Sequence, residues 1–169
     1  MNLLLSDTIS SLIGEYEISS TYINSTYDTY YLDASFHIQT DNKLFYMNPF
    51  VGGVISNSGI AYNNFNMDTG QRIVSDSSSI IRLSYSGVGS ADGECGNVSG
   101  YLQNVNSTTL PFVFSGLTNY YTSSGVHQTN SVGGGHVVAN RASVVNGLRL
   151  WFSGSSIQEG TVKLYGLRK

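Results

Sequence analysis

The feature that most constrains the fold is a strict alternation of apolar and polar residues between positions 27 and 39. The apolar set takes every second position: Tyr30, Leu32, Ala34, Phe36 and Ile38. Successive side chains of a β-strand point to opposite faces, so this period of two predicts a long strand with one buried and one solvated face. The turn-forming pair Asp41 and Asn42 follows, and residues 43–51 are again apolar, which predicts a hairpin.

The same alternation returns at the C-terminal end, in residues 144–169. Leu148, Leu150 and Phe152 share one face of a predicted strand, and Val162 and Leu164 share one face of the next. Ser and Gly residues between the two runs favour a turn, so we expect a final hairpin. Ile157, the apolar residue of the connecting segment, is expected to plug one end of the core.

Short strands with turn-forming residues between them are predicted along the rest of the chain. They cover residues 3–9, 14–20, 60–67, 80–85, 98–105, 109–121 and 136–140. Apolar residues nowhere recur at helical spacing over the 11–18 residues that an amphipathic helix requires. The sequence therefore predicts an all-β fold, an antiparallel β-sandwich or jelly roll of about 8–10 strands that forms a single domain over residues 1–169.

The composition is poor in charge and rich in tyrosine. Charged residues make up 11% of the chain, against roughly a quarter in an average soluble protein, and 12 residues are Tyr. A low charge fits a protein that packs against copies of itself or a scaffold, because each buried unpaired charge would be costly. With a net charge of −3 and scattered Lys and Arg, we expect no nucleic-acid partner.

No targeting or membrane-spanning segment is indicated. The first residues lack the cationic and long apolar parts of a signal peptide, and no stretch approaches the roughly 20 apolar residues of a membrane helix. Cys95 is the single cysteine, which excludes an intrachain disulfide and a cysteine-based zinc cluster.

Two segments near opposite ends carry a family resemblance. Residues 160–167 read Gly-Thr-Val-Lys-Leu-Tyr-Gly-Leu, and residues 23–32 read Ile-Asn-Ser-Thr-Tyr-Asp-Thr-Tyr-Tyr-Leu. With these segments the chain resembles a widespread group of small virion proteins of tailed bacteriophages, especially those of marine bacteria and cyanobacteria. The group includes both capsid decorations and fibre-tip domains, so the resemblance implies a place in a virion assembled in the host cytoplasm.

From the resemblance and the composition we expect a non-enzymatic virion structural protein, first of all a capsid decoration or cement protein on the particle surface. Its partners would be further copies of itself, in a homotrimer or another symmetric oligomer, and virion proteins such as the major capsid protein. The alternative is a receptor-binding tail-fibre tip that recognises a host surface glycan. The first is favoured because no coiled coil or fibre shaft precedes the predicted strands.

Tyrosines at strand ends or out-facing positions are the candidates for contact with a partner or a sugar ring, since rigid amphipathic rings suit both tasks. They are Tyr22, Tyr27, Tyr31, Tyr120 and Tyr121. No catalytic residue is predicted. Glu15 and Glu17 share a strand face and could form the acid pair of a glycosidase in a cleft, but a solvated face explains them better.

Neither a metal nor another cofactor is predicted. The imidazoles are His37, His127 and His136, of which the last two could meet across a loop or a threefold axis to hold a metal. No carboxylate lies at a useful spacing to complete such a site. The Gly-rich residues 87–93 resemble a calcium loop only faintly, because they carry too few acidic ligands.

Overall fold

The computed structural model describes residues 1–56, 59–136 and 143–167. These residues form thirteen strands. The strands are β1 (Asn2–Ile9), β2 (Glu15–Ile18), β3 (Thr29–Ile38), β4 (Phe45–Val51), β5 (Val54–Ile55), β6 (Ile60–Asn66), β7 (Arg72–Ser78), β8 (Ile81–Arg82), β9 (Gly96–Gln103), β10 (Val113–Tyr121), β11 (His127–His136), β12 (Val145–Phe152) and β13 (Ile157–Leu167). Within these described ranges no helix is long and apolar enough to cross a membrane.

Two antiparallel sheets pack face to face. Sheet A has eight strands in the order β1-β13-β3-β9-β10-β11-β6-β7, and sheet B has the order β2-β12-β4-β5, with β8 beside β4. Their inner side chains form one core cluster, which confirms the predicted all-β sandwich. The strands are more numerous than the 8–10 expected, because β5, β7 and β11 were not predicted: β5 is only two residues long, and β7 and β11 consist largely of polar and Gly residues.

Aromatic rings join the two sheets at the centre of the core. Phe45 and Phe152 of sheet B stack with their ring centroids 4.4 Å apart, and Phe36 of sheet A meets both rings edge-on. All five apolar residues of the β3 alternation are buried, as predicted. Complete burial of one such ring contributes about 1.5–3 kcal/mol, so this cluster is a main source of the attraction between the sheets.

Both predicted hairpins are wrong in the same way. The turn after β3 leads to β4 in the other sheet, and the turn after β12 leads to β13 in the other sheet. Alternation shows only that a strand has one buried face. Two strands in opposite sheets that face each other across the core show the same pattern as two neighbours paired in one sheet. Ile157 is fully buried opposite Ile38 at the start of β13, which confirms its predicted place in the core.

The prediction missed one central strand and misjudged another segment. β11 lies between β10 and β6, yet residues 127–135 were assigned no strand because they are polar and Gly-rich. The strand expected at residues 136–140 corresponds only to His136, the last residue of β11, and residues 137–140 lie outside the described residues. The strand expected at 80–85 is reduced to β8.

A polar layer replaces the apolar core at the far end of sheet A. Residues 83–86 lie across the inner face of β6, β10 and β11 and are held by side chains of those strands. Thr118 Oγ1 donates to the Leu83 carbonyl oxygen at 2.7 Å, and Asn64 Nδ2 donates to the same oxygen at 2.9 Å. Both side chains are fully buried, so their hydrogen bonds offset the cost of removing polar groups from water.

Candidate functional site

The five predicted tyrosines lie in four different places. Tyr31 is on the outer face of sheet A, and Tyr22 and Tyr27 line a hollow close to the first strand. Tyr121 is half exposed at the end of β10, where its ring packs edge-on against His127 at 5.4 Å. Tyr120 is 1% exposed, so its assignment as an out-facing residue is wrong.

Tyr120 is buried because it follows Thr118 on the inner face of β10, where residues 83–86 cover it. Its hydroxyl accepts backbone N–H groups from Tyr85 and Ser86 at 3.1 and 3.0 Å. The ring therefore anchors an irregular segment to sheet A and cannot contact a partner. Sequence reasoning missed this cover because residues 80–85 were predicted to be a regular strand, whereas residues 83–86 form an irregular segment.

A row of three tyrosines crosses the outer face of sheet A. Tyr165 of β13 is the neighbour of Tyr31 in β3, which is the neighbour of Tyr101 in β9. The ring centroids of successive pairs are 6.2 and 5.2 Å apart. Leu3 of the edge strand β1 pairs with Tyr165 and extends the row. Tyr101 and Tyr165 were not predicted, although each alternates with buried neighbours as Tyr31 does.

The remainder of this face carries exposed apolar residues scattered among short neutral side chains. Its exposed apolar residues retain 39–56% of their accessible surface, and they are Leu3, Phe65, Val74, Tyr101 and Leu117. The residues between them include Ser99, Ser115, Ser131 and Gly133. Ionised side chains on the same face include Asp33, Lys163 and Arg72. A broad surface of this kind is uncommon on a monomeric protein and is typical of an interface.

Tyr22 and Tyr27 line a hollow of about 350 Å³ that we call the tyrosine hollow. Its lining is Leu4, Thr21, Tyr22, Asn24, Thr26 and Tyr27. The Tyr27 ring packs directly on the backbone of Gly166, where a Cβ would lie 2.6 Å from the Tyr27 Cδ2 atom. Its edge meets the Tyr30 ring at 5.8 Å, and its hydroxyl accepts a hydrogen bond from Asn2 Nδ2. The Tyr27 ring is therefore fixed before any ligand arrives.

The loop that bears the hollow is held by a buried tyrosine and an asparagine. The Tyr30 hydroxyl accepts the Asn24 N–H at 2.9 Å and donates to the Asn24 carbonyl oxygen at 2.7 Å. Asn24 Oδ1 accepts the Thr26 N–H, and Nδ2 donates to the Thr21 carbonyl oxygen. Burial raises the pKa of Tyr30, so this hydroxyl stays neutral and keeps both roles.

A second hollow, of about 590 Å³, lies beside the His37 ring. His37 Nδ1 is 3.5 Å from Glu159 Oε1, and Nε2 is 3.0 Å from the Ser90 carbonyl oxygen. Cys95 lines the same hollow, and its Sγ accepts a hydrogen bond from Asn97. Both polar atoms of the imidazole thus face carbonyl or carboxylate oxygens, so His37 is not placed as the base of a nucleophile.

The structure does not bring the other predicted chemical groups together. His127 and His136 are at opposite ends of β11, roughly 30 Å apart by strand geometry, so one chain cannot use both for a metal. In the described part of the chain no three His, Cys, Asp or Glu residues form a group that could hold a metal ion. Glu15 and Glu17 are exposed on one face, as expected, and Glu15 pairs with Arg149 at 3.1 Å.

The outer face of sheet B holds a polar aromatic cluster that sequence reasoning missed. The Arg149 guanidinium lies 4.8 Å from the centre of the Trp151 ring, which also packs against Tyr46. Trp151 Nε1 donates to Asn48 Oδ1 at 2.7 Å. The signal was present in the alternation of Arg149 and Trp151 with buried Leu148, Leu150 and Phe152. Arg149 Nε is buried and has no hydrogen-bond partner among the described residues, so the cluster is not fully satisfied by its own contacts.

Two surfaces of the described chain are thus suited to recognition: the outer face of sheet A and the tyrosine hollow. The first offers a broad area with exposed apolar residues and few ionised side chains, and the second offers the fixed Tyr27 ring and the Tyr22 ring beside an amide and two hydroxyl groups. No protein-family model, no curated protein sequence and no solved structure matches this chain.

Proposed function

We propose that this chain is a non-enzymatic structural protein of a bacteriophage particle, which decorates the capsid surface as a symmetric homo-oligomer. The observation that carries the proposal is the outer face of sheet A, where exposed apolar residues from β1 to β7 share one surface. The two sequence segments that resemble tailed-phage virion proteins, at residues 23–32 and 160–167, supply the biological setting.

The size of this face fits a stable contact. Eight strands spaced about 4.8 Å apart span roughly 35 Å, which is wide enough for the approximately 800 Å² that each partner buries in a standard interface. Each Å² of apolar surface removed from water contributes about 25 cal/mol, and the scarcity of ionised side chains limits the desolvation cost. The ring edges of Tyr31, Tyr101 and Tyr165 add directional contacts.

Edge strands give a second means of assembly. In the described part of the chain β1 and β7 are the two edges of sheet A, so one side of each has backbone N–H and C=O groups without a strand neighbour among those residues. Such an edge pairs readily with another chain. Pairing at β1 would continue the tyrosine row through Leu3 towards a second copy, and a capsid protein strand would add in the same way.

The test locates the protein and measures what it does for the particle. Phage particles made with and without the protein are imaged, and their heat resistance and retention of DNA are compared. We expect density at capsid junctions and earlier loss of DNA from particles that lack it. Density at the tail alone, or unchanged resistance, would contradict the cementing role.

The oligomer is tested separately on the purified chain by light scattering. Tyr101→Ser together with Leu117→Ser is expected to convert the oligomer to monomers. Leu12→Ser changes an equally exposed apolar residue outside the strands and serves as the matched control. A wild-type protein that is monomeric at micromolar concentration would refute self-association.

A second candidate is a receptor-binding domain at a tail-fibre tip that recognises host surface glycan. The tyrosine hollow favours it, because aromatic rings with neighbouring amide and hydroxyl groups suit a sugar. Purified protein would then block adsorption of the phage to its host, and its density would lie at the tail.

A further inference from the structure

We propose that the tyrosine hollow binds one neutral saccharide unit of a glycan. A sugar site would make the second candidate function, the receptor-binding tip, more specific. The biological role of the site depends on that candidate, but the binding does not. Binding itself can be measured whether the protein sits on a capsid or on a tail.

The first argument is the rigidity of the aromatic platform. The Tyr27 ring is held by Gly166 beneath it, by Tyr30 at its edge and by Asn2 at its hydroxyl. A sugar ring presents C–H groups on its flat faces, and these pack on the faces of aromatic rings. Because Tyr27 is already ordered, binding costs little side-chain entropy at this residue.

The second argument is the spare hydrogen-bonding capacity of the lining. Thr21 and Thr26 contribute hydroxyl groups, and among the described residues neither hydroxyl has a hydrogen-bond partner. Asn24 Nδ2 has two N–H groups and uses one of them on the Thr21 carbonyl oxygen. The hollow therefore offers donors and acceptors beside apolar rings, which is the usual composition of a small-molecule site.

The third argument is charge and size. None of the six lining residues is ionisable at neutral pH, so the hollow offers no cation to a sialic or uronic acid and no carboxylate to an amino sugar. Its volume of about 350 Å³ is at the lower end of the range for small-molecule sites, which suits one sugar ring with its bound water. The larger hollow at His37 is lined by Asp92, Glu94 and Glu159 and is less suited to a neutral ligand.

The test is an NMR titration of the full chain labelled with ¹⁵N. The probes are methyl glycosides of glucose, galactose and mannose, and N-acetylglucosamine, each added to about 20 mM, because a site of millimolar Kd is then mostly filled. We expect saturable shifts of the amides of residues 21–27 with at least one of these sugars. Glucuronic acid is expected to bind more weakly than the best neutral sugar.

Two variants assign the shifts to the hollow. Tyr22→Leu keeps apolar volume and removes a ring, and Thr26→Val keeps shape and removes a hydroxyl group; each is expected to weaken binding about tenfold. Tyr121→Leu removes a ring at the end of β10, outside the lining of the hollow, and is expected to leave the Kd unchanged. The spectra of the free variants show whether each is folded.

Three outcomes would overturn the proposal: no shifts with any of the neutral sugars, shifts confined to residues outside the hollow, or equal affinity in the Tyr22→Leu and Thr26→Val variants. None of these outcomes concerns the place of the protein on the particle. An adsorption assay without blockade would conversely reject the fibre-tip role and leave a measured sugar site intact.

Discussion

The Tyr120 hydroxyl donates to Gln128 Oε1 across 2.6 Å while it accepts two backbone N–H groups from residues 85 and 86. One side chain of β10 thereby connects β11 to the irregular segment that closes the far end of the sandwich. Ser86 Oγ also donates to Gln128 Oε1, at 2.7 Å. These groups are largely removed from water. Loss of one hydrogen bond would therefore leave its donor or acceptor unsatisfied.

Tyr120→Phe is expected to lower the free energy of unfolding by about 1–3 kcal/mol, because it preserves the ring but deprives the Ser86 N–H of its acceptor and Gln128 Oε1 of a donor. Urea unfolding followed by circular dichroism measures the change. Tyr121→Phe is the matched control, since Tyr121 is exposed in the next position, and we expect a change within about 0.5 kcal/mol. Equal effects of the two substitutions would contradict the anchoring role of Tyr120.

Two glycines allow β9 and β10 to approach over a phenylalanine ring. Gly100 is the register partner of Gly116, and a Cβ on Gly100 would lie 2.6 Å from the Ser115 carbonyl oxygen and 2.7 Å from the Phe114 ring. Gly100→Ala is therefore expected to destabilise the fold by about 1–3 kcal/mol through overpacking.

Gly133 provides the control, because it lies in β11 of the same sheet with no atom within 4 Å of an added Cβ. Gly133→Ala is expected to leave the midpoint of thermal unfolding unchanged or to raise it slightly, since alanine restricts the unfolded chain. A Gly100→Ala protein as stable as the wild type would show that β9 and β10 can separate at no cost.

The pattern of apolar residues predicted the buried side of strands but not their neighbours. Every inward position of β3 was identified because Tyr30, Leu32 and the following alternate residues are apolar on one side only. Which sheet a strand joins depends on contacts across the core, and alternation carries no information about them. This is why β3 and β4, joined by a typical turn, were paired wrongly.

β11 was missed for a different reason. Its inner positions include a buried asparagine, Asn130, and β6 likewise turns Asn64 inward. A search for apolar alternation treats such residues as solvent-facing. Here the backbone of residues 83–86 forms hydrogen bonds with their buried side chains. The same segment buried Tyr120 against prediction, whereas Tyr22, Tyr27 and Tyr31 are only partly buried.

His136 provides a pH-dependent contribution to stability. It is 6% exposed, its ring packs against Phe112, and neither ring nitrogen has a hydrogen-bond partner among the described residues. Burial lowers the pKa of His136 below the ordinary value of about 6.5, since the charged imidazolium would lose its hydration. The unfolded chain therefore binds a proton more readily than the folded chain at mildly acidic pH.

By linkage, the free energy of unfolding is not reduced by His136 above a pH of about 6.5. It declines as the pH falls below that value, because the unfolded chain then takes up the proton first. We expect His136→Phe, which retains a ring against Phe112, to reduce the loss of unfolding free energy between neutral and mildly acidic pH. His127→Phe, at the exposed opposite end of β11, is the matched control for replacing an imidazole with a phenyl ring. Superimposable profiles of wild type and His136→Phe would refute this assignment.

The indole of Trp151 joins β12 to β4 through a side-chain hydrogen bond. Its Nε1 atom donates to Asn48 Oδ1 at 2.7 Å, and Asn48 is almost completely buried. Trp151→Phe keeps an aromatic ring beside Tyr46 but leaves the amide oxygen without this donor. We expect the free energy of unfolding to fall by about 1–2 kcal/mol in urea titrations followed by circular dichroism.

Asn48 allows the origin of that loss to be resolved with a double-mutant cycle. Asn48→Ala removes the acceptor, so the Trp151→Phe substitution should cost less in the Asn48→Ala background than in the wild type, by about 1 kcal/mol. Gly100→Ala serves as the comparison, because Gly100 lies in β9 of sheet A, away from the pairing of β12 with β4, and distant substitutions are additive. Its cost should be similar in both backgrounds, whereas strict additivity of Trp151→Phe and Asn48→Ala would show that the hydrogen bond contributes nothing to the pairing of β12 with β4.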